Sequence, residues 1–416
     1  MRVSWPMADP LSSSAATPWL SILGIGEDGR DGLSQAALRV LDKAEFVVGG
    51  ARHLRLVEPI AARTFAWPTP FSCGYAMILQ RRGTPTCVLA TGDPFHYGVG
   101  AELARLVPAD EILCHPLPSA FSLAAARLGW PLPDCDCLSL HGRALERIIP
   151  YLQPGARMLA LTWDAATPGR LAELLIARGF GGSMLIVLEA IGGPREHIRR
   201  TRAADFDLAG IDPLNTVAIE VTAGPEARVM TLAPGLDDAW FENDGQLTKA
   251  EIRAVTLAAL APRAGQLLWD IGAGAGSVGL EWCLRHRRNR CLAIEQRPER
   301  AARIRRNAAA LGVDTLDAIV GRAPTALAAL PRPDAVFIGG GAGDPALFEA
   351  AWAALERGGR LVVNAVALET ETRLAVLFAQ HGGSLRRIAI ARAEPLGRLH
   401  GWRPALPVTQ WAATKP

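Results

Sequence analysis

Long apolar runs are missing from this sequence of 416 residues. None reaches the roughly 18 residues that a helix needs to cross a bilayer, which excludes a membrane-spanning reading. Residues 1–18 carry Ser12-Ser13-Ser14-Ala15-Ala16 and early prolines but no continuous apolar stretch of a secretory signal, so they read as a flexible tail. Cysteine is scarce and scattered: Cys73, Cys87, Cys114, Cys135, Cys137, Cys283 and Cys291 show neither a disulfide framework nor zinc-site spacing. Cys135-x-Cys137 lacks a second pair or a histidine cluster to complete four ligands. No metal is therefore expected, and the thiols are expected to be reduced and cytoplasmic. Lysine is nearly absent, with three among 44 basic residues, and the net charge of +3 makes no case for a nucleic-acid partner. The basic run Leu284-Arg285-His286-Arg287-Arg288-Asn289-Arg290 reads as a solvated turn, at the end of a doubly wound sheet remote from its ligand crevice.

What is present is a globular α/β pattern. Half of the residues are hydrophobic and a fifth are charged, and the length suggests two or three units. Strand-like runs begin at Leu20-Ser21-Ile22-Leu23-Gly24-Ile25-Gly26 and recur at Ala44–Gly50, Thr86–Ala90, Arg157–Thr162, Ser183–Leu188 and Thr216–Val221. Prolines at 116–118 mark a hinge between two lobes that together span 19–232. Residues 233–240, with Ala233-Pro234-Gly235-Leu236, read as a linker to a unit covering 241–416. There Thr248 reads as the N-cap of a helix, with Glu251 completing a capping box. Phe121–Leu128 and Arg300–Leu311 read as helices, and Asp334–Gly341 and Gly359–Ala365 as the fourth and fifth strands of the last sheet.

The richest stretch is Leu267-Leu268-Trp269-Asp270-Ile271-Gly272-Ala273-Gly274-Ala275-Gly276-Ser277, followed by Cys291-Leu292-Ala293-Ile294-Glu295. It reads as a buried strand, a glycine turn, a helix, and a second strand tipped by a carboxylate. Glycines let the backbone approach a ligand, and an acid at the next strand's end can accept ribose hydroxyls. The same mechanics serve NAD-dependent dehydrogenases with the spacing Gly-x-Gly-x-x-Gly, and a tight turn in another α/β protein is the bland alternative. Here the pattern is Gly-x-Gly-x-Gly opened by Asp270. With Glu295 it resembles motifs I and II of class I S-adenosylmethionine (SAM) methyltransferases, in which the first-strand acid can steer the cofactor's amino-acid end.

Methylases of ring amino groups usually place an Asn/Asp-Pro-Pro-Tyr turn after the fourth strand. This sequence has Ile338-Gly339-Gly340-Gly341 instead. That argues against base amino methylation and for a planar acceptor against bare backbone, a flexible loop being the alternative. The blocks Gln246–Arg253, Asp270–Gly276, Gly321-Arg322-Ala323-Pro324 and Phe337–Gly341 together resemble the decarboxylating precorrin methyltransferases of cobalamin biosynthesis. The resemblance implies SAM contacts from Thr248, Asp270, Gly272, Ala273, Gly274, Ala275, Gly276, Glu295, Arg322 and Ala323. Asn364 and Glu369 are candidate liners of the acceptor pocket and candidate catalytic groups.

The first half carries its own signature. Gly24-Ile25-Gly26, Leu89–Gly98 with Gly92-Asp93-Pro94, Pro118–Gly129 with Trp130-Pro131, and Ser139-Leu140-His141-Gly142-Arg143 resemble the tetrapyrrole methylase family in its precorrin C5 branch. The implied fold is a two-lobed class III methyltransferase, followed by a Rossmann-like class I domain. The implied SAM contacts are Gly92, Asp93, His96, Phe121 and Ser122. Phe121-Ser122 stands where the family commonly has two small polar residues, and Glu27-Asp28 where it usually has Pro-Gly.

The fused order resembles bifunctional precorrin methylases. It implies two SAM-dependent methylations, at C5 and C15, with loss of the ring C acetate carboxyl, one SAM per half and a likeness to oligomeric enzymes. A polycarboxylate acceptor calls for orienting arginines, with Arg143 and Arg253 as candidates and surface or helix-pairing roles as alternatives. Gly339, Gly340 and Gly341 would also face the acceptor. His141 is a candidate proton shuttle, a structural histidine being the alternative. The rivals are an RNA or protein methyltransferase with an accessory lobe, and a SAM- or tetrapyrrole-binding protein without turnover.

Overall fold

The computed structural model describes residues 18–416, so the tail reading falls, apart from Pro18, outside the described residues. The chain forms two compact units. One comprises the described residues to Arg143 together with Tyr151–Arg228; the other comprises Ala144–Pro150 and Val229–Pro416.

The first unit holds two five-stranded sheets. Strands β1 (Leu20–Ile25), β2 (Phe46–Gly49), β3 (Arg63–Ala66), β4 (Thr86–Thr91) and β5 (Ile112–His115) form a parallel sheet in the order β3-β2-β4-β1-β5. Its central strands are buried on both faces, as a parallel sheet covered by helices requires, and that explains the unbroken apolar run of β4. Strands β6 (Cys135–Ser139), β7 (Arg157–Leu161), β8 (Met184–Glu189), β9 (His197–Arg202) and β10 (Asn215–Glu220) form the second sheet, in the order β6-β7-β10-β8-β9. Only β6 and β7 pair in parallel. Between the sheets in sequence runs the helix Ala120–Leu128, capped by the Ser119 hydroxyl, which accepts the Ser122 N–H at 3.2 Å. It ends at Gly129 with φ +67°.

The second unit is one seven-stranded sheet plus a hairpin. Strands β11 (Leu267–Ile271), β12 (Arg290–Glu295), β13 (Leu316–Val320), β14 (Ala335–Ile338), β15 (Arg360–Ala365), β16 (Ser384–Ile388), β17 (Ala391–Leu396), β18 (Leu399–Pro404) and β19 (Val408–Thr414) complete the chain. The sheet order is β13-β12-β11-β14-β15-β19-β16, parallel up to β15, with β19 antiparallel to both neighbours. The chain crosses from β13 back over to β14, so β11 and β14 flank the switch point, where a crevice opens beyond the strand ends. Trp269, Trp282 and Trp411 are fully buried on the two faces of this sheet. Trp282 donates its indole N–H to the Arg290 carbonyl at 3.1 Å, which removes the polar cost of burying it. The antiparallel strand β19, inserted between β15 and β16, and the hairpin β17–β18 have no counterpart in the sequence reading.

Residues 233–240 are packed rather than free. Leu236 is fully buried, and the N–H groups of Gly235 and Leu236 donate to the Glu281 carboxylate at 2.7 and 2.9 Å. The capping box is corrected. The helix Ala250–Leu260 has Lys249 as N-cap with no side-chain cap, and the Thr248 carbonyl, outside the helix, accepts from the buried Arg253 guanidinium.

Candidate active site

At the switch point of the second unit lies a cleft of about 770 Å³. Its floor is the glycine turn. Gly272, Gly274 and Gly276 have φ of +70°, +61° and +77°, a region that other residues enter only with strain. Each also sits where a side chain would collide. A Cβ on Gly272 would lie 2.8 Å from the Gly340 nitrogen, one on Gly274 3.0 Å from the Gln246 carbonyl oxygen, and one on Gly276 2.9 Å from Ile304 Cγ2. The turn thus packs backbone to backbone against the Gly339-Gly340-Gly341 segment that follows β14.

Two carboxylates stand at this turn. Glu295, at the tip of β12, is 4% exposed and accepts the N–H groups of Gly274 and Arg297, each at 3.0 Å. Asp270 is 1% exposed; its Oδ2 accepts the Gly279 N–H at 3.0 Å, while its Oδ1 has no hydrogen-bond partner. Burial pushes the Asp270 carboxyl up to about 7; the Gly279 N–H opposes the rise and the Glu295 charge adds to it. Asp270 Oδ1 is thus a buried acceptor left free for a donor.

A strap formed by residues 237–249 closes one side. Asp244 pairs with Arg300 at 2.9 Å and Arg303 at 3.0 Å, and Glu242 pairs with Arg306 at 2.6 Å. Asn307 donates to the carbonyls of Glu242 and Ala275, both at 2.9 Å, fastening the strap to the helix Pro298–Leu311 behind the turn. Thr248 and Gln246 are thereby held at the cleft wall. The root of the β17–β18 hairpin adds an apolar patch, Ile388, Ile390, Leu406 and Val408, with Arg392 beside it.

The structure brings Thr248, Asp270, Gly272, Ala273, Gly274, Glu295, Arg322, Ala323, Gly339, Gly340, Gly341 and Asn364 to this one cleft. Ala275 and Gly276 lie behind the turn and do not line it. Two expectations are corrected. Arg253 does not face an acceptor. It is fully buried; its Nε donates to Glu281 at 2.5 Å, and its terminal nitrogens go to Asp238 and to the Thr248 and Leu236 carbonyls. The guanidinium also stacks over Phe241 at 4.6 Å, so it ties the strap to the helix Ser277–Leu284. Glu369 is exposed in the first turn of the helix Leu368–His381 and is not part of the cleft lining. Glu281 was missed by sequence reasoning. Its signal was one acid inside the apolar segment Ser277-Val278-Gly279-Leu280-Glu281-Trp282-Cys283-Leu284.

In the first unit the Gly92-Asp93-Pro94 turn follows β4. Gly92 has φ +54°, and a Cβ there would lie 2.8 Å from the Pro118 carbonyl oxygen. Asp93 Oδ1 accepts the Phe95 N–H at 2.8 Å, which fixes the turn. His96 packs its ring on Phe121 at 4.7 Å, and Arg143 lies over the Tyr97 ring at 5.7 Å. The Phe121 side chain, expected at the cofactor, is a core group instead: it is fully buried and supports His96, which leaves only its backbone for such a contact. Ser122 bonds Ser119 Oγ at 3.0 Å, and His141 is exposed. Glu27, in the first loop, pairs with Arg52 and lies 3.4 Å from Arg195, which also pairs with Asp212, so this loop is held by charges. Among the described residues no cluster could hold a metal ion, and no helix is long and apolar enough to cross a membrane.

Residues 20–207 match the Tetrapyrrole (Corrin/Porphyrin) Methylases family, and residues 239–415 match the Precorrin methyltransferase domain. A precorrin-6Y C(5,15)-methyltransferase [decarboxylating] of Sinorhizobium sp is 53% identical over 412 residues, covering 98% of this chain and 100% of that protein. The chain belongs to the precorrin-6Y C(5,15)-methyltransferase family. Another relative of that name, from Mycobacterium tuberculosis (strain CDC 1551 / Oshkosh), is 41% identical over 399 residues, 95% of this chain and 99% of that one. The crystal structure of the C-terminal domain of precorrin-6Y C5,15-methyltransferase from Rhodobacter capsulatus has 51% identity. It covers 45% of this chain and all of that one, with a TM-score of 0.43. For this family of methyltransferases the methyl donor is SAM.

Proposed function

We propose that the chain methylates a precorrin twice and decarboxylates it once, as one bifunctional enzyme of cobalamin biosynthesis. The first unit would transfer a methyl group to C5. The second would transfer one to C15 and release the ring C acetate carboxyl as CO2. Each unit would bind its own SAM. The observation that carries the reading is the cleft of the second unit, where a side-chain-free turn meets Glu295 and the unpaired Asp270 Oδ1.

SAM supplies an electrophilic methyl carbon on a sulfonium. The residues present fit it. Asp270 Oδ1, a buried acceptor without a partner, would accept from the ammonium of the amino-acid end and Glu295 from the ribose hydroxyls, and the backbone near Arg322 and Ala323 would border the same ligand. Bound beside it, an electron-rich meso carbon attacks in line, so the protein's task is orientation and exclusion of water. Gly339–Gly341 leave room for a flat macrocycle, and the apolar patch shields it. Methylation leaves the ring electron-deficient. The C–C bond to the acetate carboxyl then breaks, its electron pair enters the conjugated ring, and CO2 departs without any oxidant or metal. One proton must still be relocated, for which a modest group suffices.

The reading carries a cytoplasmic location, a small-molecule rather than nucleic-acid acceptor, and a homo-oligomer. Seven free cysteines agree with a reducing compartment. Incubation with SAM and precorrin-6B followed by mass spectrometry tests it. The expected product has gained two methyl groups and lost one CO2; an unchanged mass would remove the reading and favour a binding protein without turnover.

A further inference from the structure

Beneath the cleft of the second unit, three polar side chains converge in an otherwise apolar core. Thr256 lies on the helix Ala250–Leu260, Asn364 near the end of β15, and Gln410 on β19, where it pairs in register with Asn364. Thr256 and Gln410 are 0% and 1% exposed. Asn364 is half-buried and lines the cleft. Burying such groups costs stability unless they are bonded, and here their bonds define one another. Thr256 Oγ1 gives its only proton to the Ile252 carbonyl at 2.7 Å, so it can only accept from the two amides. It accepts Asn364 Nδ2 at 2.9 Å and Gln410 Nε2 at 3.2 Å, and Gln410 Nε2 also donates to Asn364 Oδ1 at 3.0 Å. Flipping the Asn364 amide would set oxygen against oxygen and NH2 against NH2. In this arrangement Asn364 keeps one N–H and one lone pair free, while Gln410 Oε1 is buried without a partner.

We infer that Asn364 is the neutral anchor for the carboxylate that leaves as CO2, and that Gln410 and Thr256 are its positioning residues. This rests on the decarboxylating reading of the cleft. A cation held against the departing carboxylate would stabilise the ground state most, because the negative charge moves from carboxylate to ring as the C–C bond breaks. An amide N–H orients the carboxylate while binding it less tightly than an ion pair. The cleft's cations fit this division. Lys249, Arg300 and Arg392 are paired with Asp238, Asp244 and Glu251, Arg322 lines the cleft as well, and no hydrogen bond joins any of the four to the Asn364 group. Arg322, exposed and without an ion pair among the described residues, is left for the acceptor carboxylates that stay.

The test uses the full chain with SAM and precorrin, following methyl transfer and CO2 release separately, with SAM binding as a control for folding. Asn364→Asp should lower kcat for CO2 release by about 10- to 100-fold, the worth of one hydrogen bond to a charged group, with SAM affinity within about twofold of the parent. Gln410→Glu removes both donors at neutral pH. Its buried carboxyl regains one when protonated, so CO2 release should recover as the pH falls, giving an acid limb that the parent lacks. Gln410→Met should be impaired at every pH. Decarboxylation by Asn364→Asp and Gln410→Glu at the parental rate and pH profile overturns the inference, as does equal loss of SAM binding and CO2 release in all three. Absence of CO2 release from the parent protein would instead overturn the reading on which it rests.

Discussion

The glycine turns of the two units solve one problem by different means. In the second unit three left-handed glycines succeed each other, two buried carboxylates stand beside them, and the neighbouring strand's glycines press on the turn. In the first unit a single left-handed Gly92 packs against the Pro118 carbonyl, Asp93 closes its own turn, and rings at His96, Tyr97 and Phe121 fill the surroundings. The first arrangement offers acceptors to a cationic, hydroxylated ligand. The second offers backbone and aromatic surface, which suits a ligand folded against the turn. Under the proposal of one SAM per unit, the cofactor would be recognised by charge in one unit and by shape in the other.

The largest expected effect comes from filling each turn in isolation. Gly272→Val places a branched side chain at φ +70° and against the Gly340 nitrogen. C15 methylation and CO2 release should fall by more than about 100-fold while C5 methylation persists. Gly92→Val should do the reverse. Calorimetric titration with SAM should lose one site in each variant, and loss of both sites from either would break the comparison. Next in size is the buried ion pair. Arg253→Met strands Glu281, so the second unit should lose about 3–5 kcal/mol on denaturant unfolding. KM for the precorrin should hold in the fraction that remains folded; a selective rise in KM would restore Arg253 to the acceptor site.

Asp270→Asn tests recognition by charge. SAM affinity at the second site should drop about tenfold, with the first site unaffected. The sign with pH follows from the raised carboxyl. Between its ordinary range near 4 and about 7 the folded state holds an extra proton, so this group's contribution to stability falls as pH rises through that window. Binding of an ammonium should strengthen over the upper part of the same range, as Asp270 ionises, and the Asn variant should lose that dependence. The smallest effect belongs to His53 of the first unit. Burial first, and then the Arg52 charge, lower it to about 4. The unfolded chain binds the proton near 6.5, so stability should be complete above about 6.5 and decline as pH falls towards 4. His53→Gln should flatten that slope in a thermal melt of the intact chain.

Much of this was legible from spacing. The strands β1, β2, β4, β11, β12, β14 and β15 announce themselves as apolar runs because both of their faces are buried. The glycine turns announce themselves because only glycine fits. The short edge strands β3, β9 and β16 do not, since half-exposed segments such as Arg63-Thr64-Phe65-Ala66 carry no periodic signal. Arg253 was misplaced for a related reason. An arginine on a helix beside a cleft reads alike whether it turns outward to an anion or inward to Glu281, 28 residues away.

By itself the sequence determined the two α/β units, the glycine turns and the acids that close them, because backbone conformation and burial are written locally in residue type. Only the tertiary structure decided which polar groups are already partnered. It took the side chains of Arg253, Phe121 and Glu369 out of the candidate contacts, and it left Asp270 Oδ1 without a partner and Asn364 with one free N–H. Hydrogen bonds between strands and helices far apart in the chain set those assignments, and no local pattern encodes them.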